Sequence, residues 1–306
     1  MTPPNLKWLR VVAPARPQRL PAHCRSTAPR SETVERMRRM LRRRGLHSVC
    51  EEARCPNLTH CFGCGTVTFM LLGDVCTRAC RFCNVATGRG RPVDSQEPQQ
   101  VADAVRELEL RHVVLTSVNR DDLPDQGSEQ FARSIACVRA ASPATTIEVL
   151  TPDFRGDSTP IDCVVDARPD VYNHNVETVP RLYREVRPGA DFSRSLELLA
   201  RVKQRAQRIV SKSGLMLGLG ESREEVIEVL SCLRASSVDA VTMGQYLRPT
   251  LRHLPVQRYL EPWEFEELRG EAEKLGFLNV ASGSLVRSSF HADAALEALE
   301  SVRGLA

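Results

Sequence analysis

The stretch TVTFMLLGDVCTRACRFC (residues 66–83) joins a β-prone apolar run to three cysteines spaced C-x3-C-x2-C. The same order, an apolar run and then a polar motif, recurs five more times. HVVLTS (112–117) leads into TSVNRDD (116–122), and TIEVLT (146–151) into TPDF (151–154). DVYNHNV (170–176) ends in NHNVET (173–178), SGLMLGLG (213–220) in GLGES (218–222), and AVTMGQY (240–246) in GQYLRP (244–249). Helical periodicity fills the gaps: Val101, Ala104, Val105 and Leu108 recur at i, i+3, i+4 and i+7, as do Val226, Val229, Leu230 and Leu233. Ser222 followed by Glu225 predicts a capping box, and Pro262 the first turn of a further helix.

Six strand–helix units in series predict parallel strands, because each crossover helix returns the chain to the same end of the sheet. An α/β architecture follows, a partial (β/α)6 TIM-like barrel, with a doubly wound sheet as the alternative. In a barrel all six polar motifs fall on the C-terminal face, where active sites are built. Each motif taken singly has a plainer reading; GLGES is equally a glycine turn followed by a helix cap.

Seven of the eleven cysteines lie between residues 50 and 83. Cys76, Cys80 and Cys83 are close enough to hold three irons of one [4Fe–4S] cluster, leaving the fourth iron open to substrate. Structural zinc wants four ligands, and no fourth Cys or His stands at a usual spacing. Phe82, beside the last thiol, shields one side. Cys50, Cys55 and Cys61 in CEEARCPNLTHCFGCG (50–65) are spaced more widely, C-x4-C-x5-C. They predict a second metal centre, iron–sulfur or zinc. Its fourth ligand stays open between His60, Cys64, His47 and a residue far along the chain. The remaining Cys24, Cys137, Cys163 and Cys232 are isolated, the last three in core-like patterns where cysteine behaves as a small hydrophobe.

The 306-residue length suits one large core, and 42% hydrophobic with 26% charged residues is a globular balance. No apolar run approaches a membrane span and no secretory h-region opens the chain, so a cytoplasmic, reducing setting is expected, without membrane contact. Clustered cysteines then read as metal ligands rather than disulfides. The net charge of +4 is uneven: residues 1–44 hold twelve Lys/Arg against Glu32 and Glu35. That basic start, over VERMRRMLRRRG, is open to three readings: a solvated helix, a dock for an acidic partner, or an organelle presequence. Nucleic acid is not expected, because no aromatics interleave the arginines.

The tight trio after the first strand of a six-unit barrel, with an aromatic before its last cysteine, resembles the radical S-adenosylmethionine superfamily. In that superfamily the open iron binds the amino and carboxylate groups of S-adenosylmethionine, and an electron from the cluster releases a 5′-deoxyadenosyl radical. The two cysteine sets together resemble the lipoyl synthase family. The likeness runs from LKWLRV (6–11) through LHSVCEEARCPNLTHCF, VVLTSVNRDDLPDQG, TPDFRGD, VYNHNVETVPRLYREVRPGADF, KSGLMLGLGESREEV and GQYLRPTLRHLPVQRY to RSSFHAD (287–293). A match starting so early argues against a cleaved presequence, although residues 12–30 look like a lengthened arm.

The resemblance implies insertion of sulfur at C6 and C8 of an octanoyl chain amide-linked to a lysine of a carrier protein, with two S-adenosylmethionine consumed. It implies two [4Fe–4S] clusters. One sits on Cys76, Cys80 and Cys83 and makes the radical; an auxiliary one on Cys50, Cys55 and Cys61 surrenders sulfide. The family's serine ligand carries over to Ser289, with Ser288 as runner-up. Implied cofactor contacts are Thr116, Ser117, Asn119, Asn173, Asn175, Arg187 and Lys212. Implied partners are octanoylated lipoyl domains of 2-oxoacid dehydrogenase complexes, the glycine-cleavage H protein, a ferredoxin- or flavodoxin-type reductant and iron–sulfur carrier proteins. The expected organisation is an arm and auxiliary segment (1–65), the barrel (66–250) and a closing C-terminal segment (251–306). Asn119 stands where the family usually has Asp, and Phe290 where it has Tyr. Two rivals remain: another radical sulfur-inserting enzyme, such as a biotin-synthase-like protein or a methylthiotransferase, and a non-catalytic electron carrier or redox sensor.

Overall fold

The apolar runs fold as strands buried on both faces, which is what a helix-covered parallel sheet demands. A computed structural model describes residues 19–25, 32–63 and 66–289. Its strands are β1 (His47–Ser48), β2 (Thr68–Leu71), β3 (Val75–Cys76), β4 (Ala86–Thr87), β5 (His112–Ser117), β6 (Thr146–Leu150), β7 (Val171–Asn173), β8 (Val210–Leu217), β9 (Ala240–Gln245) and β10 (Asn279–Gly283). β3 and β4 make a small parallel pair. The other eight form one sheet in the order β1-β2-β5-β6-β7-β8-β9-β10, parallel throughout except for β1.

That order never reverses. A doubly wound sheet must reverse at its switch point, so the doubly wound alternative is excluded and the open barrel stands. The sheet also exceeds the six expected strands. NVASG (279–283) has little β-propensity of its own and becomes a strand by pairing along β9.

Among the described residues, α1 (Glu32–Arg43), α2 (Val49–Glu52) and α3 (Leu58–Gly63) precede the barrel. The crossovers are α4 (Glu97–Glu107), α5 (Ser128–Ala141), α6 (Ser158–Asp166), the short α7 (Tyr183–Val186) with α8 (Phe192–Arg205), α9 (Arg223–Ala235) and α10 (Pro262–Lys274). Val101, Ala104 and Val105 of α4, and the four predicted apolar positions of α9, are buried in one core. Both halves of the Ser222 capping box form: its hydroxyl accepts from Glu225 N at 3.2 Å, and its N–H donates to the Glu225 carboxylate at 2.8 Å. Helix α1 buries Val34, Met37, Met40 and Leu41 and leaves Arg36, Arg39, Arg42 and Arg43 exposed.

Beneath the C-terminal face the barrel holds a polar layer. Lys212 Nζ of β8 reaches the Glu148 carboxylate of β6 at 3.0 and 3.1 Å, and Asn173 Nδ2 of β7 adds a bond at 3.0 Å. All three side chains are buried, and Lys212 first among its neighbours offsets the burial cost, holding the Glu148 carboxyl below its ordinary range. Removing one partner leaves a charge stranded, at a cost of about 3–5 kcal/mol. Lys212→Met is therefore expected to lower chemical-denaturation stability by about that much, and adding Glu148→Gln should restore part of it.

Candidate functional site

Strand β2 ends in a sharp change of direction, with Leu72 and Gly73 both at positive φ (68° and 86°). The buried Glu97 carboxylate fixes this corner by accepting from Leu72 N at 3.1 Å. The cysteine loop then runs between β3 and β4 and is tied on every side. Thr77 N donates to Asn119 O at 3.0 Å and Arg81 N to Val186 O at 2.9 Å. Arg78, nearly buried, bridges Asp121 at 2.8 Å and Asp153 at 2.7 Å. His253 Nε2 donates to Cys83 O at 3.0 Å. Two backbone N–H groups, of Asn119 and Arg78, point at Cys76 Sγ at 3.3 and 3.4 Å.

The wide trio rides on the short helices before the barrel. Ser48 caps α2, which carries Cys50; a positive-φ Arg54 (51°) turns the chain at Cys55; and α3 carries Cys61. Asn84 Nδ2 donates to Glu52 O at 2.8 Å and joins this segment to the tight-trio loop. Asn57 Nδ2 donates to Leu285 O at 2.6 Å and joins it to the C-terminal segment.

That segment reaches the site because Gly244 of β9 has no side chain. A Cβ there would overlap the Val286 carbonyl oxygen and sit 3.1 Å from its carbon. The N-terminal piece is docked alongside: Ser284 Oγ donates to His23 O at 2.5 Å, and His23 Nε2 to Leu260 O at 3.1 Å. Cys24 in this piece is fully buried, whereas Cys137, Cys163 and Cys232, expected in the core, are only half-buried.

All six trio cysteines, with Arg287, Ser288 and Ser289, line one cavity of about 470 Å³ over the C-terminal ends of the strands. His47 and His60, the nearby candidates for completing the wide trio, do not line it. Cys64 and Phe290 lie outside the described residues, as do LKWLRV and most of the arm over 12–30. Of the expected cofactor contacts, Thr116, Ser117, Asn119, Asn175 and Arg187 line the cavity. Asn173 and Lys212 do not; they are engaged by Glu148 in the layer below.

The cavity also presents residues that sequence reasoning did not single out. Glu177, held at positive φ (65°), has its carboxyl pushed up by burial, with Asn175 Nδ2 donating to it at 3.2 Å. Arg187 Nη1 donates to Asn175 O at 2.8 Å, and its guanidinium lies 5.3 Å from the Tyr183 ring centroid. Glu177 lies inside NHNVET and Arg78 inside CTRAC, so the signal was present, but short polar motifs do not reveal which side chain turns inward.

Burial pushes the His174 imidazole down to about 4, with the Arg187 charge adding to the effect. Its Nδ1 donates to Thr151 O at 2.9 Å, and Nε2 faces the Ser195 hydroxyl at 3.0 Å. The folded state thus holds a neutral ring, while the unfolded chain titrates near ~6.5. Protons bind the unfolded state preferentially, so stability falls as pH drops from about 6.5 to 4, by roughly 3 kcal/mol in all. Melting curves over that window should show a shallower acid decline for His174→Gln.

Three observations bear on whether these residues fit iron–sulfur clusters and S-adenosylmethionine. The donors are soft thiols; burial raises Cys50 and Cys83 to about 12 and Cys80 to about 11, so each gives up a proton when it ligates. Among the described residues no three His, Cys, Asp or Glu are placed to hold a single metal ion, yet the thiols within each trio lie close enough to act on one another electrostatically, Cys50 with Cys55 and Cys61, and Cys83 with Cys80 and Cys76. Four cavity-lining residues carry a buried polar atom without a partner among the described residues: Ser117 Oγ, Asn119 Oδ1, Asn175 Oδ1 and Arg187 Nε. Gly214 adds room, since a Cβ there would meet Thr242 Oγ1 at 2.6 Å and Asn175 Oδ1 at 2.9 Å. The residues fit both groups.

Residues 70–233 match the radical SAM superfamily. The chain is 56% identical over 283 residues to a lipoyl synthase of Methylococcus capsulatus, covering 92% of this chain and 88% of that protein. It is 53% identical over 275 residues to a lipoyl synthase of Dichelobacter nodosus, covering 89% and 85%. The fold resembles the crystal structure of methylornithine synthase, with a TM-score of 0.55, 18% identity, and 81% and 74% of the two chains covered. Among the described residues no helix is long and apolar enough to cross a membrane. With this similarity spanning nine-tenths of its length, the chain belongs to the lipoyl synthase family of the radical SAM superfamily.

Proposed function

We propose that this protein inserts sulfur at C6 and C8 of octanoyl groups carried on a lysine of lipoyl carrier proteins. The supporting observation is that both cysteine sets and the Ser288–Ser289 pair line a single cavity. When bound, one [4Fe–4S] cluster supplies reductive cleavage of S-adenosylmethionine and the other supplies the sulfur.

Cys76, Cys80 and Cys83 would hold the first cluster, on a loop that Arg78 and His253 keep rigid. Cys50, Cys55 and Cys61 with Ser289 would hold the second. A hard alkoxide oxygen suits iron less well than thiolate, which makes Ser289 the most readily opened corner. Ser117, Asn119 and Asn175 offer unpaired polar atoms to S-adenosylmethionine, Thr116 shapes the strand end, and Arg187 offers a cation to its carboxylate. Lys212 and Asn173 act from beneath, by holding β7 and β8 in register. Met70, Val118, Leu215, Met216 and Tyr246 give the cavity apolar walls that keep water and competing hydrogen donors from a carbon radical.

We place the protein in a cytoplasmic, reducing setting, where clustered thiols stay available as cluster ligands. A ferredoxin- or flavodoxin-type reductant and iron–sulfur carrier proteins complete the partners this reading requires. Exposed Arg36, Arg39 and Arg42 on α1 would steer acidic lipoyl domains and glycine-cleavage H protein by long-range attraction. Raising salt should then increase KM for the carrier protein much more than for S-adenosylmethionine; equal responses would remove α1 from recognition. The function itself is tested by anaerobic incubation with reductant and S-adenosylmethionine. Release of 5′-deoxyadenosine together with sulfur-bearing carrier is expected, and absence of 5′-deoxyadenosine would return the chain to the electron-carrier reading.

A further inference from the structure

Cys76 Sγ receives three N–H groups. Asn119 supplies its backbone N–H at 3.3 Å and its side-chain Nδ2 at 3.7 Å, and Arg78 supplies its backbone N–H at 3.4 Å. The Asn119 amide faces the sulfur with nitrogen, and its Oδ1 is buried without a partner among the described residues. That orientation follows from chemistry: a thiolate sulfur only accepts, so an amide beside it turns its NH2 inward. The backbone of Asn119 is itself fixed, because its main-chain carbonyl accepts from both Thr77 N at 3.0 Å and Thr77 Oγ1 at 3.1 Å. The backbone N–H donor is thereby anchored, and the side-chain amide reaches the same sulfur from that anchored position.

We propose that Asn119 sets the reduction potential of the tight-trio cluster through side-chain N–H donation to Cys76 Sγ. The inference rests on the cluster assigned above to that trio. Donors to a ligand sulfur stabilise the more negative, reduced cluster and raise its potential. An aspartate at this position does the reverse on two counts: it removes the donor and sets a carboxylate beside the sulfur. Asn119 thus makes the cluster of this chain easier to reduce than one beside Asp, and widens the range of reductants that serve it. In this role Asn119 acts through Cys76 with its Nδ2, while its Oδ1 still faces the S-adenosylmethionine contact proposed above.

The test is a redox titration of the anaerobically reconstituted holoenzyme followed by electron paramagnetic resonance. The signal perturbed by added S-adenosylmethionine identifies the tight-trio cluster. At the wild-type midpoint potential, Asn119→Asp should hold roughly tenfold less reduced cluster relative to oxidised, a fall of about 59 mV for one electron. Asn119→Ala, which keeps the backbone donor and adds no charge, should shift in the same direction by less. Iron counts identify fully loaded variants, and a structural defect that spared the sulfur contact would leave their midpoints unmoved. Loaded variants with wild-type midpoints overturn the inference alone. A wild-type protein that loads no cluster on the tight trio overturns the functional reading, and this inference with it.

Discussion

Replacing Cys76, Cys80 and Cys83 by alanine is expected to leave one of two clusters in place and abolish cleavage of S-adenosylmethionine. Replacing Cys50, Cys55 and Cys61 should also leave one cluster, but here S-adenosylmethionine is still cleaved and no sulfur reaches the carrier. The asymmetry follows from placement. The tight trio lies on a loop locked to the barrel by Arg78, Asp121 and Asp153. The wide trio lies on α2 and α3, joined to that loop by Asn84 and to the C-terminal segment by Asn57. Each set has its own scaffold, so each should load independently. Iron and sulfide counts, with 5′-deoxyadenosine and product assayed on the same samples, check the result. Loss of both clusters from either triple variant would mean that the sets form one centre.

The second large effect is expected at Gly244, a cavity-lining residue with no side chain to ligate or hydrogen-bond. Gly244 sits in β9, whose residues are all buried, so the strand cannot yield to a new methyl group. A Cβ there would overlap the Val286 carbonyl, so the chain over Val286–Ser289 has to move. Gly244→Ala should therefore cost about 1–3 kcal/mol by overpacking. More tellingly, it should lose auxiliary-cluster iron while retaining the cluster that cleaves S-adenosylmethionine. Full iron and normal sulfur insertion in this variant would show that the segment is held in place by other contacts.

Much of this was legible in the chain. The strands β2, β5, β6, β8 and β9 are short runs dense in β-branched and apolar residues between helical patterns, and that density declares them. The spacing of the tight trio declares its chemistry in the same local way. Strand β10 was not legible, because NVASG becomes a strand only through β9. Nor did sequence separate Asn175, whose Oδ1 is unpaired beside the cavity, from Asn173, whose amide serves Glu148. Two residues apart on one strand end, they differ in depth within the barrel, which is a tertiary property. Lys212 is the same case: its cation is spent on Glu148, a partner 64 positions away that no local pattern announces. The seat of Ser289 depends on an absent side chain at Gly244, whose meaning appears only once Val286 lies against it.

The proposed function divides the labour between two cysteine sets in one cavity, one making a radical and the other giving up sulfur. It is tested most directly by building the clusters anaerobically with isotopically heavy sulfide and removing the excess. The protein is then given an octanoylated lipoyl-domain peptide, S-adenosylmethionine and reductant, and the product is weighed by mass spectrometry. Heavy sulfur is expected at both inserted positions, and none in a Cys50→Ala protein that still releases 5′-deoxyadenosine. Light sulfur in the product, or insertion by a protein without the wide-trio cluster, would contradict it.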